Sequence, residues 1–210
     1  MRKSMILPGL AALIMLIAAS CTKDPLKDMT AEDSRIYITN YDSTANFGSY
    51  KTFSIADSVA VIDNGRATKE ISVTDQAYLD AVKKYMQQQG YVLVNKSQSP
   101  DLGLNVNRIY RTSTGVVSYP DYWGYYGGYW DPYYWGYPGY GYYVPYSYAV
   151  YSVTEGAISV DMLDLKSAKT TNKISIIWTG TIRGSGILNA SVADSQVKAL
   201  FDQSPYIKAN

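Results

Sequence analysis

Ser195 and Lys198, spaced as S-x-x-K, and the carboxylates Asp161 and Asp164 are the side chains in this sequence whose types and spacing could do chemistry. In the first pair a lysine could activate a serine nucleophile, but the S-D-N and K-T-G segments that accompany such a site are absent. Asp161 and Asp164 could serve as paired carboxylates or as oxygen ligands to a divalent cation. Their places argue against it: Asp161 falls on the polar, solvent-facing side of an alternating strand, and Asp164 lies close to its exit turn. Asp42 and Asp101 each stand beside a turn, where aspartate bonds the local backbone. The chain has no histidine and one cysteine. That removes the commonest general base, the usual zinc and copper ligands, and every triad built on Cys or His. GxGxxG, P-loop and GxSxG patterns are missing as well. The expectation is no catalytic residue, no metal and no cofactor, and hence not an enzyme.

The lone cysteine has a different chemistry. Arg2 and Lys3 precede an apolar run from Ile6 to Ala19, which has the charge pattern and length of a secretory signal. It is short of the roughly 20 residues that a membrane span needs. It ends in Ile17-Ala18-Ala19-Ser20-Cys21, which resembles a bacterial lipobox. On that reading residues 1–20 are a signal peptide and Cys21 is lipidated, with two or three acyl chains holding far more firmly than one. A single cysteine allows no internal disulfide in an exported domain. Residues 21–34 then form the lipidated cysteine and a polar tether. Thr22 after the cysteine points to the outer membrane, with the periplasmic or surface-facing side left open. The partner implied is the membrane itself, through the N-terminal lipid.

Nineteen basic residues against eighteen acidic ones give a formal net charge of +1. Loss of Arg2 and Lys3 with the leader would leave one acid in excess, with no basic surplus to attract nucleic acid. Between Arg111 and Lys166 there is no Lys or Arg, yet residues 119–151 hold 14 tyrosines, three tryptophans, six glycines and four prolines. Glycine and proline at that density exclude a long helix. Without a cationic groove the rings do not make a single-strand platform. Sugars, whose apolar faces stack on Tyr and Trp, and envelope proteins, whose binding hot spots favour the same residues, remain as partners. The candidate contact residues are Tyr122, Trp123, Tyr125, Tyr129, Trp130, Tyr134, Trp135 and Tyr137. Three readings stand side by side: a mobile surface loop without a ligand, a glycan or protein contact surface, or β-structure that extends the sheet and rejoins it at Val150 to Val153.

The elements that must position these residues can be read from periodicity. Strands are expected at Ile36 to Tyr41, Tyr50 to Ile55, Tyr91 to Val94 and Leu102 toward Tyr110. A helix is expected from Thr74 to Gln89, capped by Thr74 and stopped by Gly90. Gly156 to Met162 and Ile174 to Ile182 form a hairpin around a polar turn, and a short helix runs from Ala190 to Gln203. Strands interrupted by one helix and closed by another predict an α+β fold. Its form would be a largely antiparallel sheet with helices on one face, a two-layer sandwich carrying the Tyr/Gly-rich loop as an insertion.

Several stretches, in order, resemble the DUF4136 lipoproteins, a family of unknown function. "YDSTANFGSYKTFSI" from Tyr41 to Ile55 is similar to their opening, Pro100-Asp101-Leu102 to a P-D-L step, and "GAISVDMLDLKS" with "IIWTGTI" to their hairpin; "FDQSPYIK" is similar to an ending of some members. The chain departs from the pattern in a longer turn before Ile177-Trp178. The resemblance makes 35–210 a single domain that includes the aromatic loop 119–151. It implies an envelope lipoprotein and a packing role for Phe47, Tyr50, Trp178 and Gly180, with no reaction. The function expected is that of a lipid-anchored envelope protein acting as a structural or interaction module. The alternative is a glycan- or peptidoglycan-binding protein that uses the Tyr/Trp-rich loop as a stacking surface.

Overall fold

The computed structural model describes residues 30–63, 66–110, 117–118, 132–145, 149–150 and 156–210. Residues 1–20, read above as a signal peptide, Cys21, and most of the stretch 21–34 read as a tether lie outside them. The strands are β1 (Ile36–Tyr41), β2 (Thr52–Ile55), β3 (Val59–Asp63), β4 (Arg66–Glu70), β5 (Val92–Leu93), β6 (Leu102–Ile109), β7 (Val117–Ser118), β8 (Gly141–Tyr143), β9 (Ala149–Val150), β10 (Ala157–Asp164) and β11 (Lys173–Arg183). Three α-helices accompany them: α1 (Val73–Gln88), α2 (Ala168–Thr171) and α3 (Ala193–Asp202).

Nine strands form one sheet, ordered β1-β11-β10-β6-β2-β5, with β3, β4 and β8 added at its sides. This corrects the largely antiparallel two-layer sandwich. The sheet is mixed: β2 and β3 both run parallel to β6, β5 runs parallel to β2, and β8 runs parallel to β11. β1, β11, β10 and β6 are antiparallel neighbours. The parallel pairing follows from what lies between β2 and β6. A β3–β4 hairpin, which periodicity missed, and α1 occupy the connection, so the chain crosses over before it returns beside β2. Asp101 sets that register: its carboxylate accepts the Lys51 amide at 2.7 Å, and its own amide donates to Thr52 Oγ1 at 3.0 Å.

Helix α1 begins one residue earlier than expected. Ser72, not Thr74, is its N-cap, in a reciprocal capping box with Asp75. Tyr78, Leu79, Val82, Tyr85 and Met86 recur at helical spacing and are buried against the sheet. Asp75 is itself buried, with its carboxylate 3.3 Å from Arg108 Nε on β6; the pair is close without hydrogen-bond alignment. Tyr85 stacks on Phe201 of α3, and Lys84 meets Asp194 at 2.6 Å, so the two helices pack as a pair.

The sheet is buried on both faces, which is the second reason a two-layer design fails. One face packs Phe53, Leu104, Val160, Met162 and Trp178 against α1 and α3. The other carries Ile62, Ile109, Leu163, Ile174 and Ile176, with Ala168 of α2 and Trp135 among them. Helices therefore sit on both faces. All eight residues of β6 and all eight of β10 are buried, although each alternates apolar with polar. In β11 the alternation is broken by a bulge: Met162 faces Trp178 while Leu163 faces Ile176. The extra residue, Ile177, joins Trp178 in the helix-side core. Phe47, Tyr50, Trp178 and Gly180 are packing residues here. A methyl group on Gly180 would come within 2.6 Å of the Trp178 ring and 2.8 Å of Leu200.

Candidate functional site

Of the ring residues singled out from the sequence, Tyr134, Trp135 and Tyr137 fall within the described residues. Tyr122, Trp123, Tyr125, Tyr129 and Trp130 lie outside them, as does Cys21. Residues 132–145 form a cap on the second face of the sheet. They start as a 3₁₀ turn, Pro132–Trp135, and end by adding β8 to β11. Trp135 is 6% exposed and lies over Gly103, where an added Cβ would come within 3.3 Å of the indole. Only a residue without a side chain lets the ring approach β6 that closely. Tyr137 donates its hydroxyl to the Leu165 carbonyl at 2.8 Å, and burial raises its pKa. The two-residue ladder of β7 with β9 pairs Val117 with Val150, on either side of the aromatic stretch in sequence.

Tyr134 points differently. Its hydroxyl accepts the Asp57 amide at 3.1 Å, and burial pushes its pKa above the ordinary phenol value. Lys96 Nζ stands 3.8 Å from its ring centroid and Lys69 Nζ 5.3 Å from it, both within cation–π range. Beside it opens a groove of about 450 Å³ lined by residues of β2, α1, β5 and the 3₁₀ turn Lys96–Gln98, among them Lys83, Leu93 and Asn95. Sequence reading missed these lysines. The stretch from 112 to 165 holds no cation, and the fold carries in Lys69, Lys83 and Lys96 from segments 38 to 65 residues earlier than Tyr134. No local pattern connects them. Two more tyrosines of the cap face outward: Tyr133 is 73% exposed and Tyr143 is 45% exposed, the latter with Lys173 Nζ 3.7 Å from its ring.

The groups expected to lie on a wet face do not. Asp161 is fully buried, and Asn107 Nδ2 donates to it at 2.6 Å and to Ser159 Oγ at 2.9 Å. Asn105, Asn107, Ser159, Thr179 and Thr181 are buried with it, a polar row in the middle of the capped face. Neither atom of the Asn105 amide has a hydrogen-bond partner among the described residues, nor has Trp135 Nε1. Asp164 accepts the Ser167 amide at 2.9 Å in the exit turn. Ser195 donates to the Val192 carbonyl, and Lys198 is held by Asp202 at 2.7 Å. In both candidate pairs the two side chains bond to different partners. Among the described residues no three His, Cys, Asp or Glu side chains gather as metal ligands.

The model of a domain of unknown function, DUF4136, matches residues 38–206. The chain belongs to the DUF4136 family. A crystal structure of a DUF4136 family protein from Bacteroides thetaiotaomicron is 29% identical, with a TM-score of 0.69, over 84% of this chain and 98% of that one. A PelC dodecamer from Paraburkholderia phytofirmans is 14% identical at a TM-score of 0.41, over 84% of this chain and 99% of that one. A PDZ domain protein from Parabacteroides distasonis is 11% identical at 0.40, over 83% of this chain and 37% of that one. No curated protein matches the chain.

Proposed function

We propose that this DUF4136 protein is a lipid-anchored component of the cell envelope that works as an interaction module without catalytic activity. Its cap would be the contact surface. The observation that carries the reading is the way the cap is held. Buried Trp135 and the Tyr137–Leu165 bond dock it on the sheet, while Tyr133 and Tyr143 are left exposed on a supported backbone. Exposed tyrosine on a rigid scaffold is what binding hot spots are made of, because a ring with few rotamers loses little entropy on contact. The anchor rests on Cys21 behind its leader. No helix among the described residues is long and apolar enough to cross a membrane.

Two measurements test it. Radiolabelled palmitate should enter the wild-type chain and not Cys21→Ser. A photo-crosslinking amino acid at Tyr133 should give a discrete adduct in intact cells, whereas one at Val73, 82% exposed at the start of α1, should give none. Identical patterns at the two sites would refute the cap as the contact surface. The second reading, glycan or peptidoglycan binding, is favoured by the groove beside Tyr134.

A further inference from the structure

We infer that the groove beside Tyr134 binds an acidic sugar, a pyranose carrying a carboxylate. This deepens the glycan reading and rests on it. The chemistry follows from what the groove offers. The turn Lys96–Gln98 caps itself: Asn95 Oδ1 accepts the Ser97 amide and hydroxyl, both at 3.0 Å, and Gln98 Oε1 accepts the Asn95 amide at 2.8 Å. Backbone N–H groups can only donate, so these contacts fix which amide atom is oxygen. Asn95 Oδ1 is thereby filled and Gln98 Oε1 half filled, so most of what the two side chains have left to give a ligand is their NH₂ donors.

Lys83 and Lys96 add two ammonium groups, which also only donate. Lys83 has Asp80 at 3.0 Å in an exposed pair. Lys96 lies over the Tyr134 ring, with no carboxylate at ion-pair distance among the described residues. This wall therefore asks for acceptors, and a charged oxygen meets ammonium and amide donors more strongly than a neutral one. Asp57 also lines the groove, and its carboxylate accepts and suits a hydroxyl. Ile55, Leu93 and Val94 add apolar lining beside Ser54. A pyranose with a carboxylate has all three features, an apolar ring face, hydroxyl donors and an oxyanion. A phosphate headgroup has the oxyanion without the ring, and a neutral sugar has the ring without the oxyanion. The volume, about 450 Å³, lies in the range of roughly 300–1,000 Å³ usual for small-molecule sites.

The test is calorimetric titration of the full chain in detergent with an oligogalacturonate, with maltotetraose as the neutral sugar and glycerol 1-phosphate as the headgroup. Binding of the oligogalacturonate alone is expected. Lys96→Gln, which removes the charge at an exposed position, should weaken it at least about tenfold, and so should added salt. Equal binding of maltotetraose, binding of glycerol 1-phosphate alone, no binding at all, or an unchanged Lys96→Gln titration would each overturn the inference. The Tyr133 crosslink separates the two proposals. A silent titration with a surviving adduct removes the acidic sugar and leaves the contact surface standing.

Discussion

On the second face of the sheet, Asn105 and Asn107 stand two residues apart on β6 and meet opposite fates. Asn107 bonds Ser159 and Asp161, whereas Asn105 keeps both amide atoms without a partner among the described residues. A buried amide in that condition costs about 1–3 kcal/mol. Asn105→Leu should therefore raise stability by about 1 kcal/mol in urea melts. Asn107→Leu, which takes a donor from a fully buried carboxylate, should lower it by about 1–3 kcal/mol. The reverse order would show that Asn105 is satisfied in solution. This row is also where one-dimensional reading fails most plainly. Asn, Ser, Asp and Thr alternating with Leu, Val and Ile describe a half-wet strand, and nothing local announces that another segment covers the polar side.

At the scale of elements, Trp135 is the most deeply buried of the aromatic side chains that join the cap to the sheet. Trp135 fills the space over Gly103, and β8 follows six residues later along β11. Removing a buried tryptophan typically costs about 3–5 kcal/mol. If that cost falls on docking the cap, Trp135→Ala should speed amide hydrogen exchange at Tyr142 and Tyr143 by at least about tenfold. Val160 and Met162 in β10 should keep their protection. Uniform acceleration across both strands would mean that the indole supports the whole sheet. The elements with strong local signals were legible. Helix α1 shows its 3.6-residue repeat, and the β10–β11 hairpin shows its alternation around a polar turn. The β3–β4 hairpin was not read: "VAVID" offers a short apolar run without a clear alternation.

For the whole molecule, three tyrosines give a pH dependence. Tyr50, Tyr78 and Tyr91 are buried, and burial is the main cause of pKa values raised well above the ordinary 10.0; at Tyr50 the nearby Asp164 charge adds to it. A raised folded-state pKa means that the unfolded chain gives up the proton first. Their contribution is complete below about pH 10 and is lost as pH climbs beyond it, by about 1.4 kcal/mol per unit for each tyrosine. Denaturant midpoints should be flat from about pH 8 to 9.5 and fall steeply above about 10. Tyr91→Phe, which removes one of these ionisations and the bond to the Phe47 carbonyl, should make the fall shallower by less than about a third, because Tyr134, Tyr137 and Tyr206 have raised values as well. An unaltered slope would place the loss elsewhere among the 22 tyrosines.

Features that depend on residue type and near neighbours were legible along the chain. The missing histidine, the lone cysteine behind an apolar run, the strongest helix and hairpin, and the stretches that resemble the family to which the chain proves to belong are all of this kind. The rest depends on which distant segments meet. β2 and β3 lie parallel beside β6 because α1 and a hairpin intervene, and Asp161 is dry because its strand is covered on both sides. The lysines stand around Tyr134 because α1, β4 and the turn after β5 converge on a cap far along the chain. Burial and charge environment are properties of three-dimensional neighbourhoods, and periodicity along a chain carries only the half of each neighbourhood that its own element supplies.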